Sequence, residues 1–129
     1  MTITIEAPRV RAYAAAIGDE HPAYPASDED VDGKTAPPTF AAVYALGAGS
    51  GSLAQAGIPP YRLIHGEQEF EWRRAVRVGE TLTAEGKIVD VAQKRNLTFV
   101  TAETRCTDSA GEEVCVSRAT IVVLPESGR

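Results

Sequence analysis

The sequence predicts an α+β domain in which a long antiparallel sheet wraps around one apolar helix. Three observations predict it. Helical patterns come first and strand patterns follow, unlike the alternating order that builds a parallel sheet. Residues 81–91, 97–106 and 114–124 are long, β-branched stretches divided by turn signals, as in a meander. The apolar stretch opened by Pro37-Pro38-Thr39-Phe40 carries Ala41, Ala42, Ala45 and Gly47, small residues that let a sheet approach closely.

Taken in order, Thr2 to Ile5 alternates as a short edge strand would. Pro8 suits a first helical position, where its missing N–H costs nothing. Val10, Tyr13, Ala14 and Ile17 recur at helical spacing, and Gly18 ends that helix. Residues 18–38, rich in Pro, Asp and Gly, read as a long ordered loop with Asp28-Glu29-Asp30 solvated. In the second helix Phe40, Val43, Tyr44 and Leu46 supply a buried face. Gly47-Ala48-Gly49-Ser50-Gly51-Ser52 has the look of a phosphate loop, but no Lys-Ser/Thr follows and no strand precedes, so it reads as a helix end or turn. Glu67 to Arg73 alternates through Phe70 and Trp72. Gly79-Glu80, Lys94-Arg95-Asn96 and Ser109-Ala110-Gly111 punctuate the remaining strands, so Cys106 and Cys115 face each other across the last hairpin.

Size and charge narrow the function. The 129 residues fit one domain, 1–129, with 43% hydrophobic and 24% charged residues. A net charge of -5 argues against nucleic acid and anionic membrane surfaces as partners, because no basic excess exists to neutralise phosphates. No apolar run approaches the ~20 residues that span a bilayer, and Met1 to Glu6 lacks the basic start of a signal peptide. The expectation is a cytoplasmic chain with reduced thiols. Two histidines without clustered cysteines support no metal site.

The most informative stretch is Ala16-Ile17-Gly18-Asp19-Glu20-His21-Pro22-Ala23-Tyr24. Asp19, His21 and Tyr24 follow a helix end closely enough to face one pocket, and a carboxylate with an imidazole can divide acid and base roles on one water. The stretch resembles the signature of the MaoC-like (R)-specific enoyl hydratases and dehydratases: Gly-Asp, any residue, Asn-Pro, an apolar residue, His. Gly18, Asp19, Pro22 and Ala23 match it; His21 replaces the Asn and Tyr24 the His. Ala36-Pro37-Pro38-Thr39-Phe40 resembles that family's entry to its central helix. His65-Gly66-Glu67-Gln68-Glu69-Phe70 and Arg77-Val78-Gly79-Glu80-Thr81-Leu82 resemble its following strands. Tyr24 and the His65 segment are similar to the FAS1-like N-terminal dehydratase branch, whose members commonly pair with a MaoC domain that keeps the intact Asp and His.

The resemblance implies a hot-dog fold and a substrate, a trans-2-enoyl or (3R)-hydroxyacyl thioester, that brings its own coenzyme A or acyl-carrier-protein phosphopantetheine; no further cofactor is implied. It makes Asp19, His21 and Tyr24 the degenerate catalytic set. Pro38, Thr39, Phe40, Tyr44, His65 and Gly66 become substrate-binding candidates, with an oxyanion-binding N–H near residues 39–41 or Gly47. Tyr44, Leu53, Ile58, Tyr61 and Phe70 are candidate walls of an acyl tunnel. Arg73, Arg74 and Arg77 would meet a ligand phosphate, or only solvent and Glu71. A phenol near pKa ~10 is a poor base at neutral pH, whereas imidazole near ~6.5 is well suited. The leading expectation is therefore a substrate-binding, non-catalytic subunit of a heteromeric dehydratase or hydratase, completed by a MaoC-domain partner chain. The alternatives are a self-sufficient homodimer of two copies using Asp19 and His21, a thioesterase using Glu67 or Glu69, and an acyl-binding module without chemistry.

Overall fold

The computed structural model describes residues 1–46 and 53–126. Its elements are strand β1 (Thr2–Thr4), helix α1 (Ala7–Ala16), a 3-10 turn (Pro38–Phe40) running into helix α2 (Ala41–Tyr44), a second 3-10 turn (Pro60–Arg62), and strands β2 (Leu63–Trp72), β3 (Thr81–Lys94), β4 (Leu97–Thr107) and β5 (Glu113–Val123). The five strands form one antiparallel sheet in the order β1-β3-β4-β5-β2. The meander is the predicted one, and the α+β class with it. The Gly47–Ser52 segment lies outside the described residues.

Local chemistry explains the boundaries. Pro8 sits in the first turn of α1. Gly18, at φ +70°, adopts the left-handed conformation that closes the helix, with the Gly18 and Asp19 N–H groups donating to the carbonyls of Ala15 and Ala14. That closure throws Asp19 clear of the helix axis. In the β4–β5 turn the Asp108 carboxylate accepts the N–H groups of Ala110 and Glu112, and Gly111 takes φ +84°. Strands β3 and β5 are dense in Val, Ile and Thr, which fit a pleated half-buried surface.

The sheet has two contrasting faces. Its inner face packs against the helices: Val10 of α1, Phe40, Ala41 and Tyr44 around α2, and Leu82, Ala84, Cys106, Val114 and Cys115 of the sheet form the main core. Tyr13 meets Phe40 edge-on with ring centroids 5.4 Å apart. A smaller cluster of Leu53, Val100 and Val123 lies towards the other end. The outer face carries charge in cross-strand rows: Glu69 lies opposite Arg118, Arg118 opposite Glu103, and Glu103 opposite Lys87. Such pairs keep a solvated face from being adhesive. The connection after β2 is clamped to the β4–β5 turn by Arg74, whose guanidinium donates to Glu80 at 2.8 and 2.9 Å and to Asp108 at 3.0 Å.

Several expectations shift. The central helix is shorter in its described part than its apolar pattern suggested, since its entry is a 3-10 turn started by Pro38. Ile17 is exposed rather than buried, because α1 ends one residue earlier. Strand β2 begins at Leu63, four residues before the predicted Glu67. A bulge between His65 and Glu67 interrupts the period-two pattern there and hides those residues from a sequence reading. Cys106 and Cys115 do stand directly opposite each other in the β4–β5 ladder.

Candidate functional site

Three hollows receive predicted site residues. The first, about 590 Å³, sits where α1 closes and holds Asp19, His21 and Tyr24, with Arg11 and Lys34 on its rim. The three candidate catalytic residues are thus brought together. The Tyr24 hydroxyl donates to Asp19 Oδ2 at 3.0 Å. The other oxygen, Oδ1, accepts the His21 backbone N–H at 3.2 Å. The His21 ring lies 5.5 Å from the Tyr24 ring, centroid to centroid, and its Nδ1 accepts the Ala23 N–H at 3.0 Å. A neutral ring in that bond carries its proton on Nε2, so neither nitrogen offers a free lone pair. Partial desolvation, then the hydrogen bond to Asp19, then that carboxylate's charge hold the Tyr24 phenol above its usual pKa. The phenol is consequently a fixed donor to Asp19 at every neutral pH.

The start of the central helix lies close to α1. Tyr13 Oη stands 3.0 Å from the Thr39 carbonyl and 2.9 Å from Thr39 Oγ1. From the other side Trp72 Nε1 donates to the Pro38 carbonyl at 2.9 Å. The turn uses its own donors as well: the N–H groups of Phe40 and Ala41 go to the carbonyls of Pro37 and Pro38. Those two of the three amides at residues 39–41 expected as candidates for the thioester oxygen are spent, which leaves Thr39 N–H as the candidate of that turn. Gly47, the alternative, lies outside the described residues.

The second hollow is an apolar groove of about 700 Å³ lined by Leu53, Ile58, Pro59, Leu63, His65 and Ile121. A small cavity that shares Leu53, His65 and Ile121 with it is also lined by Leu46, Thr104 and Ser117. His65 lines both, at the mouth of β2. Gly66 stands at the adjoining bulge, where a Cβ would meet the Thr120 carbonyl and a Val122 methyl at 3.3 Å.

The other candidates divide. Phe40 and Tyr44, expected to touch substrate, are 1% and 2% exposed and belong to the core. Tyr44 faces a separate apolar pocket of about 280 Å³ beside Pro38 and Trp72; burial and the neighbouring Cys115 thiol push its phenol far up. Phe70 packs on the same core. Tyr61, expected as a tunnel wall, is 82% exposed and lies outside the groove lining, because the 3-10 turn at Pro60 swings it to solvent. Leu53 and Ile58 are groove residues, as expected. Arg74 is occupied by Glu80 and Asp108, and Arg73 pairs with Glu113 at 2.8 Å as well as Glu71. Glu67 and Glu69, the thioesterase candidates, alternate on the outer face of β2, away from α2. Sequence reasoning assigned Tyr13 to packing only and passed over Ile121; the strand period places Ile121 on the inner face with Ala119, whereas nothing in the sequence marked the Tyr13 hydroxyl.

Comparison with known proteins places this geometry. The chain is 35% identical over 124 residues to a protein named UPF0336 from Clavibacter michiganensis, covering 89% of this chain and 81% of that one. Its fold is similar to the C-terminally truncated HadBC (3R-hydroxyacyl-ACP dehydratase) complex from Mycobacterium tuberculosis, with a TM-score of 0.76 and 24% identity over 95% of this chain and 90% of the other. It is also similar to the ChsH1-ChsH2 complex from the same organism, with a TM-score of 0.71 and 20% identity over 98% and 82%. The sheet with its inner helix is therefore a hot-dog fold. Residues 1–117 match the FAS1-like dehydratase domain region, and the chain belongs to that family.

Proposed function

We propose that this protein is the substrate-binding, non-catalytic subunit of a heteromeric (3R)-hydroxyacyl-thioester dehydratase or enoyl-thioester hydratase. One observation carries the reading: beside Asp19 the position of the family's imidazole is held by the Tyr24 phenol, which donates to Asp19, and the nearby His21 ring is tied to the Ala23 N–H. Adding water across an enoyl double bond requires a group that takes a proton from that water and returns one to the substrate carbon. Asp19 with a bound phenol serves poorly. A partner chain that keeps an aspartate and histidine would supply the chemistry, and the similarity to two complexes, HadBC and ChsH1-ChsH2, supports a partner chain. The apolar groove at Leu53, Ile58 and Leu63, about 700 Å³, would take the acyl chain as this subunit's share of the work. The thioester carrier, coenzyme A or an acyl carrier protein, belongs to the substrate, and a cytoplasmic setting suits both.

The test is hydration of crotonyl-CoA and of longer enoyl-CoA substrates by the isolated chain, and by the chain mixed with an intact MaoC-domain protein. Activity in the mixture alone is the expected result. Full activity of the isolated chain, lost in Asp19→Asn and His21→Ala, would establish the self-sufficient homodimer instead.

A further inference from the structure

On one face of the sheet, β4 and β5 set Val100 opposite Ile121, Ala102 opposite Ala119, Thr104 opposite Ser117 and Cys106 opposite Cys115. One pair of that ladder carries hydroxyls. Thr104 and Ser117 are each 2% exposed, in rows where an apolar side chain would leave no polar group to satisfy. Opposed Thr and Ser hydroxyls often bond each other, but among the described residues these two do not, and Thr104 Oγ1 makes no hydrogen bond. Ser117 Oγ accepts Gln68 Nε2 at 2.8 Å and keeps its own O–H without an acceptor among the described residues. Gln68 Nε2 also donates to the Glu69 carbonyl at 3.1 Å, and the enclosed Gln68 Oε1 has no partner there either. The cluster is thus a buried polar network with hydrogen bonds still to give and to take.

Both hydroxyls line the cavity of about 70 Å³ that shares Leu53, His65 and Ile121 with the apolar groove. His65 brings an imidazole whose nitrogens have no hydrogen bond among the described residues, and the small Ala102 and Ala119 leave the space open. Among the described residues that lining has no Lys, Arg, Asp or Glu. An uncharged oxygen therefore suits it, whereas a carboxylate or an ammonium would be buried without a counter-charge. We propose that this cavity binds a hydroxyl or keto oxygen borne on the tail of the acyl chain, so that the groove selects an oxygenated chain over a plain one. This rests on the reading of the groove as the acyl site. The cavity shares no lining residue with the Asp19 hollow, and an apolar groove takes an acyl tail rather than its thioester, so the oxygen it meets lies beyond the reacting carbons. At about 70 Å³ the cavity exceeds the roughly 30 Å³ share of one water molecule, so it admits a substituted carbon as well as solvent. A plain methylene chain entering it would cut both hydroxyls off from water without replacing the hydrogen bonds; an oxygen on the chain replaces them.

Titration calorimetry tests this on the full chain, alone and mixed with an intact MaoC-domain protein. The probes are octanoyl-CoA and dodecanoyl-CoA, each beside a series in which one hydroxyl or one keto oxygen is moved carbon by carbon along the tail. The expected result is that one position of the oxygen binds about tenfold tighter than the plain chain of the same length, the effect of one or two net hydrogen bonds. Thr104→Val and Ser117→Ala, which remove the hydroxyls one at a time, should each cut that advantage to less than about threefold. Thermal melts identify folded variants, and either substitution suffices if the other unfolds the chain. Plain and oxygenated chains binding equally at every position, or an advantage that survives in the folded variants, would overturn the inference and leave the acyl groove standing. Failure of every acyl-CoA to bind, alone and in the mixture, would remove the acyl groove itself and the subsite with it.

Discussion

Replacing Tyr24 with histidine puts an imidazole directly beside Asp19, where this chain carries a phenol. In the wild type the phenol donates to Asp19 Oδ2 at 3.0 Å and its pKa is raised, first by desolvation and then by that bond. It therefore neither accepts a proton from water nor frees Asp19 to do so. In Tyr24→His the shorter side chain opens a gap beside Asp19 that one water can fill, held between a carboxylate and an imidazole. A positioned general base is worth ~10²–10⁴ in rate, or about 3–5 kcal/mol at 1.36 kcal/mol per decade. Because the ring must enter a backbone turn set by the Tyr24 N–H bond to the His21 carbonyl, the low end, a gain of about a hundredfold, is expected. The assay is loss of enoyl-CoA absorbance from pH 5 to 9 for the wild type, Tyr24→Phe and Tyr24→His. The gain should fall away below the imidazole pKa, where the base is protonated. Equal rates in all three proteins, or a wild type already as fast as Tyr24→His, would refute the argument that the missing imidazole limits this domain.

Three further outcomes follow from packing and charge. Burial raises the Glu80 carboxyl, but the Arg74 hydrogen bonds and the Arg77 N–H outweigh it and hold its pKa below the usual value. Its contribution to stability is thus present above the unfolded-state pKa and is lost as pH falls through the depressed folded value. Glu80→Gln should cost about 2 kcal/mol at pH 7, a drop in Tm of roughly 8 °C, and the gap to wild type should close below about pH 4; a pH-independent gap contradicts the clamp. Burial pushes the Cys106 thiol up to about 12 and raises Cys115 as well, so a thiol reagent at pH 8 should label neither until urea unfolds the chain. Phe40→Ala should cost about 3–5 kcal/mol by chemical denaturation, since Phe40 is fully enclosed between Tyr13 and Tyr44; a loss under 1 kcal/mol would return Phe40 to the substrate pocket.

Much of the fold was legible because its signals are local. The β-branched runs, the turn residues around Asp108, the Pro8 start and the Gly18 stop each act within a few residues, so the meander, α1 and the opposed cysteines could be read along the chain. The grouping of Asp19, His21 and Tyr24 was legible for the same reason, since six residues after a helix stop have little room to separate. The start of β2 was not, because the bulge beyond His65 breaks the alternation that reveals a strand. The apolar candidates were half legible. Apolar residues look alike in sequence whether they line a groove, as Ile58 does, or fill a core, as Phe40 does, and only packing partners separate the two.

By itself the sequence determined the α+β class, the order of elements and the family, and it located Tyr24 where the family motif carries a histidine. Tertiary structure alone set the hydrogen bonds around that position. The bonds from Tyr24 to Asp19 and from Ala23 to His21 depend on how a loop folds back on itself. The Tyr13 contact with Thr39 joins residues 26 apart. The open β2 edge exists only because β5 lies on one side of it and nothing of this chain's described residues on the other. Composition and spacing record which groups a chain carries; the lone pairs, amides and strand edges left unused are set by long-range pairing.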